Sequence, residues 1–129
     1  MAKFRISARV QRQQSKDPDF APIVSINAGD STVDWQSEKV LSVDQLKALF
    51  KAAGDKKKIT FLMHPVYALK VFPKGRNIDF LSLEIKENSS NNNTILVPSC
   101  KDLKVIGSGG APDHQSTVTL QLASGGFTI

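Results

Sequence analysis

Cysteine is nearly absent from this 129-residue chain: Cys100 stands alone, which excludes an internal disulfide and every metal site built from several thiolates. A reducing compartment fits that usage. Histidine is almost as scarce. His64 and His114 are the only two, far apart in sequence, so the short paired ligand spacings that mark zinc sites do not occur. The acidic residues are scattered and form no calcium loop of alternating oxygen ligands closed by a glutamate. Neither a metal nor a cofactor is expected. Long apolar runs are missing too: residues 59–69 carry no formal charge over eleven positions, well short of the roughly 20 that span a bilayer. No membrane partner is expected. The first residues, Met1-Ala2-Lys3-Phe4-Arg5-Ile6, alternate charge with hydrophobe where a signal peptide would carry an apolar stretch. The expectation is a cytoplasmic protein, or a component of a virion or other particle, not a secreted one.

What is present is ordinary for a folded chain. Hydrophobic residues make up 40% and charged residues 22%, which argues against disorder, collagen and coiled coil. The length suits one domain over residues 1–129, large enough to bury a core. The net charge is +5 and the pI about 9.5. The excess is concentrated in residues 1–58, which hold eleven basic and seven acidic groups. Such a field attracts nucleic acid or an acidic partner, and it also simply keeps a small protein soluble.

Along the chain, Phe4, Ile6, Ala8 and Val10 alternate with Lys3, Arg5, Ser7, Arg9 and Gln11, the period-two pattern of a half-buried strand with a basic outer side. A polar loop is expected over 12–19. Ile23, Val24 and Ile26 read as one short strand, closed by a turn at Asn27-Ala28-Gly29-Asp30. Val33 and Trp35 belong to a third strand. An amphipathic helix is expected over 42–53. Ser42 caps it and Gln45 completes the capping box. Val43, Leu46, Leu49, Phe50 and Ala53 form its apolar stripe, and Gly54 is placed for a left-handed C-terminal cap.

Downstream, 59–64 and 66–72 are rich in β-branched and aromatic residues and read as two strands bent at Pro65. Residues 78–87 form another strand. Its apolar parity changes between Ile78 and Leu81, so a bulge is expected at Phe80-Leu81. A hairpin tip falls at 88–93, and Thr94 begins the return. Leu103, Val105 and Ile106 mark a further strand. The glycine-rich 107–115 reads as a flexible loop, and Val118, Leu120 and Leu122 mark a last strand. The fold class that follows is α+β, mainly β: an antiparallel sandwich or open barrel of about six to eight strands with one amphipathic helix.

No catalytic set is recognisable. His64, in an apolar run before a proline, reads as a strand histidine, and His114 beside Asp113 as a loop residue. Cys100 with a histidine base would make a nucleophile, and Lys101 beside it would lower the thiol pKa. The glycines at 107, 109 and 110 lead to Ala111-Pro112 and a strand, unlike a phosphate-binding loop running into a helix. Asn88-Ser89-Ser90 and Asn92-Asn93-Thr94 match glycosylation acceptors, which without secretion are incidental. Nucleic acid is the remaining ligand. Single-strand binders set basic grooves beside exposed aromatics, and Lys3, Arg5, Arg9, Lys70, Lys74 and Arg76 would supply the charge here. Phe72, with Trp35 and Tyr67, would supply the stacking surface.

The main functional expectation is therefore a non-enzymatic, self-assembling β-rich subunit, with homo-oligomer or lattice neighbours as its partners. A capsid, decoration or tail component is the concrete form. A single-stranded nucleic-acid-binding barrel is the alternative. Phe127, Thr128 and Ile129, following Ser124-Gly125-Gly126, are the expected assembly contacts, because apolar side chains at the end of a hinged segment gain by finding a surface.

Overall fold

The computed structural model describes residues 4–11, 18–28, 31–34, 43–87, 93–110, 115–123 and 125–129. The first strand, β1 (Phe4–Gln11), buries Ile6, Ala8 and Val10 and exposes Arg5 and Arg9, as its alternation requires. One edge pairs antiparallel with β2 (Asp19–Ile23), Ile6 opposite Ile23 and Arg9 opposite Phe20. The expected 12–19 loop thus ends early, since Asp19 already lies in β2; 12–17 are outside the described residues. The expected strand through Ile23, Val24 and Ile26 is two strands. It breaks at Val24, whose N–H donates to the Leu62 carbonyl at 2.8 Å. The break lets both Ile23 and Ile26 face the core although their parities differ.

Beyond the break, β3 (Ser25–Ala28) pairs with β4 (Ser31–Asp34). The proposed turn at Gly29-Asp30, like Trp35 and the Ser42 cap, lies outside the described residues. The helix α1 (Val43–Lys56) buries Leu46, Leu49, Phe50 and Ala53, while Val43 is exposed and leaves the stripe. Gly54 does not end the helix. Lys57 takes the left-handed conformation instead, at φ 56°, and its N–H reaches the Gly54 carbonyl at 3.3 Å. Gly54 serves another purpose: a Cβ there would stand 3.2 Å from the Cα of Gly126, so glycine permits the closing segment to approach the helix.

Strand β5 (Lys58–Met63) buries Ile59, Phe61 and Met63. The next expected strand, 66–72, is a second helix, α2 (Pro65–Val71). Pro65 stands in the first turn, where its missing N–H costs nothing, and the Nδ1 of His64 accepts the Val66 N–H at 3.2 Å as N-cap. Strand alternation would have put Lys70 on the inner face with Ala68 and Phe72. Helical spacing instead buries Ala68, Val71 and Phe72 together. Tertiary burial overrides β propensity here.

The long β6 (Asn77–Glu87) pairs with β1 in an unbroken register and with β8 (Ser99–Gly110) from Asn77 opposite Lys104 to Ser82 opposite Ser99. No bulge interrupts it at Phe80-Leu81. The parity change is real, and β8 shares it: the ladder skips Asp79 and Asp102, Asp102 has φ 58°, and Ile78 and Leu103 are buried together with Leu81 and Cys100. The short β7 (Thr94–Leu96) returns along β6 as the far side of the expected hairpin. Its tip, 88–92, is outside the described residues. Strand β8 runs farther than expected, because Gly107, Ser108, Gly109 and Gly110 pair with Thr119, Val118, Thr117 and Ser116 of β9 (Ser116–Leu122). Half of the expected loop is therefore ladder, with a register shift between Val105 and Gly107; residues 111–114 lie outside the described ones.

The strands form one sheet in the order β2-β1-β6-β8-β9-β5-β3-β4, with β7 laid on β6. Chain continuity dictates its curvature. β2 begins the order and β3 stands near its end, yet only Val24 separates them, so the sheet must curl until its ends approach. The result fits the expected mainly β sandwich or open barrel, the sheet not closed, with two helices among the described residues where one was expected. One apolar cluster fills it, including the edge-on pair Phe61 and Phe72 with ring centroids 5.8 Å apart.

Candidate assembly interface

Composition leaves this surface one unusual feature. Helix α2 is fastened inward by Ala68 and Val71, and its other side turns Val66, Tyr67 and Leu69 outward, Leu69 at 75% and Val66 at 61% exposure. Strand β2, against which α2 packs, adds Phe20 at 61%. Scattered single apolar side chains are normal on a surface, whereas several large ones on one short helix make a candidate interface. Reading 66–72 as a strand hides this face. The signal that would have found it is the i, i+3 spacing of Val66 with Leu69 and of Ala68 with Val71.

The basic residues of the nucleic-acid reading fall in two places. Arg5 and Arg9 are exposed on β1, with the Arg9 guanidinium over the Phe20 ring at 5.8 Å from its centroid, a cation–π contact. Lys3 is outside the described residues. Lys70, Lys74 and Arg76 gather at the C-terminal end of α2, where the Arg76 guanidinium donates to the carbonyls of Lys70 and Val71, both at 3.1 Å. That pairing caps the helix C-terminus. Phe72 lies between them but is wholly buried, so it offers no face to a base. The expectation of Phe72 as a stacking residue is corrected. Tyr67 remains exposed.

The three expected assembly residues dock on their own domain. Thr128 and Ser99 exchange two backbone hydrogen bonds, of 2.8 and 2.7 Å, in an isolated antiparallel bridge. Phe127 is half-buried against Phe50 of α1, ring centroids 5.1 Å apart, and Ile129 is 51% exposed. Behind this segment, Cys100 is buried. Its thiol pKa is raised by desolvation and by the Asp102 carboxylate, against a smaller lowering from the Lys101 backbone. The lowering expected from Lys101 comes through its backbone, and desolvation outweighs it. His64 is a helix cap, not a strand residue, and His114 lies outside the described residues. Among the described residues no cluster of His, Cys, Asp and Glu is placed to hold a metal, and no helix is long and apolar enough to cross a membrane.

No family model matches the sequence, and no curated protein matches it. Among solved structures the chain is similar to Hcp1 from Salmonella typhimurium, with a TM-score of 0.54 and 16% identity over 95% of this chain and 82% of that one. At that identity the likeness is one of fold.

Proposed function

We propose that this chain is a non-enzymatic structural subunit that assembles with copies of itself. The exposed apolar face of α2 carries the reading, and a second copy is its occupant. The likeness of fold to Hcp1 supports a β-rich subunit of this kind. A virion component, the form first expected, has no such support. Neither does the nucleic-acid alternative, whose central aromatic is buried. Covering what Val66 and Leu69 still expose would contribute roughly 1 to 2 kcal/mol each at every interface. Changing Val66 and Leu69 together to glutamate is expected to raise the dissociation constant at least about a hundredfold, with circular dichroism unchanged because neither side chain is in the core. Unaltered oligomer mass in the folded variant would remove the α2 face from the interface and the reading with it.

A further inference from the structure

We propose that the segment 125–129 is an exchangeable strand: its seat along β8 accepts Phe127-Thr128-Ile129 of a second copy in place of the chain's own. The inference rests on the self-assembly reading and names the segment that would cross between copies.

The observation behind it is a misfit in the seat. β9 and the closing segment lie on the same edge of β8, Leu122 opposite Leu103 and Thr128 opposite Ser99. From one pairing to the other β8 advances by four residues while the partner spends six, so two residues are in excess. The chain absorbs them around Gly125, which has φ 67°, a conformation that glycine adopts without strain. The consequence falls on Lys101. Alternation turns its backbone toward the same edge as that of Ser99, yet no backbone hydrogen bond joins it to 125–129. Among the described residues, the Cys100 thiol stands 3.6 Å from its carbonyl. A cavity of about 350 Å³ stands beside Lys101, between Phe80 and Gly126. On the other flank a groove of about 620 Å³ opens between Lys47 and Lys51 of α1 and the side chains of Phe127 and Ile129. Both are open surface depressions, so the segment is bordered by solvent on its two flanks.

A segment arriving from a neighbour carries no two-residue excess. It can run straight along residues 99–102, keep the Ser99 bridge and the Phe50 contact, and add the missing Lys101 pairing. The occupant is a second copy because the seat already fits Phe-Thr-Ile, and every copy bears that sequence on a Gly125-Gly126 hinge. Exchange of identical elements is a low-cost route to assembly, and within an assembly a neighbour's segment competes at high effective concentration.

Crossed disulfides test it. Cys100→Ser is made throughout, one chain carries Ser99→Cys, and a second chain of different mass carries Thr128→Cys. A hydrogen-bonded antiparallel pair has Cα atoms about 5.5 Å apart, within disulfide range, and in this mixture no single chain can close the bond. Exchange is expected to give the mixed, reducible heterodimer as the main oxidised product. A yield no higher than with Asp55→Cys replacing Thr128→Cys overturns it. The mass of the unaltered protein separates the two readings. An oligomer without crossed disulfides refutes exchange and leaves self-assembly standing, whereas a monomer removes both.

Discussion

Gly54→Ala opposes two local effects of opposite sign. Inside α1, alanine is favoured over glycine by roughly 0.8 to 1.0 kcal/mol. Against that gain, the new Cβ would stand 3.2 Å from the Cα of Gly126, a few tenths of an ångström inside ordinary contact. The outcome depends on which partner yields. The helix is anchored by Leu46, Leu49, Phe50 and Ala53, all buried, and it will not move. The closing segment is held by one bridge and one ring pair, and it will. Net stabilisation of about 0.5 to 1 kcal/mol is expected, a rise of roughly 2 to 5 °C in Tm. Hydrogen exchange of the Thr128 amide should accelerate in the same variant. In a Phe127→Ala background, where the segment is already loosened, the gain should reach its full value, a non-additivity that a double-mutant cycle measures. A loss above about 1 kcal/mol with Thr128 protection unchanged would refute this reasoning, since it would make the segment a rigid part of an overpacked core.

Four other outcomes follow from single side chains. His64→Ala should cost about 1 kcal/mol through the lost cap, read in chemical denaturation, whereas His64→Asp should keep the stability. Phe61→Ala, which empties the middle of the barrel and strands the Phe72 ring, should cost about 3 to 5 kcal/mol. Lys57→Gly should stabilise by up to about 1 kcal/mol, because φ 56° is strained for lysine and free for glycine. The Cys100 thiol is held above its ordinary pKa of 9.0, so the fold binds the proton more tightly than the unfolded chain. Its contribution is complete below that pH and lost as pH rises beyond it. Cys100→Ala should therefore flatten the fall of stability above pH 9, and an identical slope in both proteins would contradict the assignment.

Legibility in the sequence followed the density of local signals. β1 could be read residue by residue because one side meets the core and the other meets water, and the α1 stripe from Leu46 to Ala53 carried the same clarity at helical period. Where a short element has its burial decided by distant strands, local pattern misled. In 66–72, Val66, Tyr67 and Val71 have β propensity, and against them stood Lys70, which a strand would have buried, and the i, i+3 spacings of Val66 with Leu69 and of Ala68 with Val71. The glycines of 107–110 lack side chains and so show no alternation, yet β9 pairs with their backbone. The close approach of Gly54 to Gly126 joins positions distant in sequence and leaves no local trace. For the site, Phe127 to Ile129 were legible as a segment that seeks a surface, although the surface found is their own domain. The α2 face was hidden by the misread helix.

The most direct measurement is the solution mass of the unaltered protein by sedimentation equilibrium, across concentration and at low and high salt. A homo-oligomer that persists at high salt is expected, because the proposed contacts are apolar and backbone pairs that salt does not screen. A monomer at every concentration, in both salts, would contradict self-assembly.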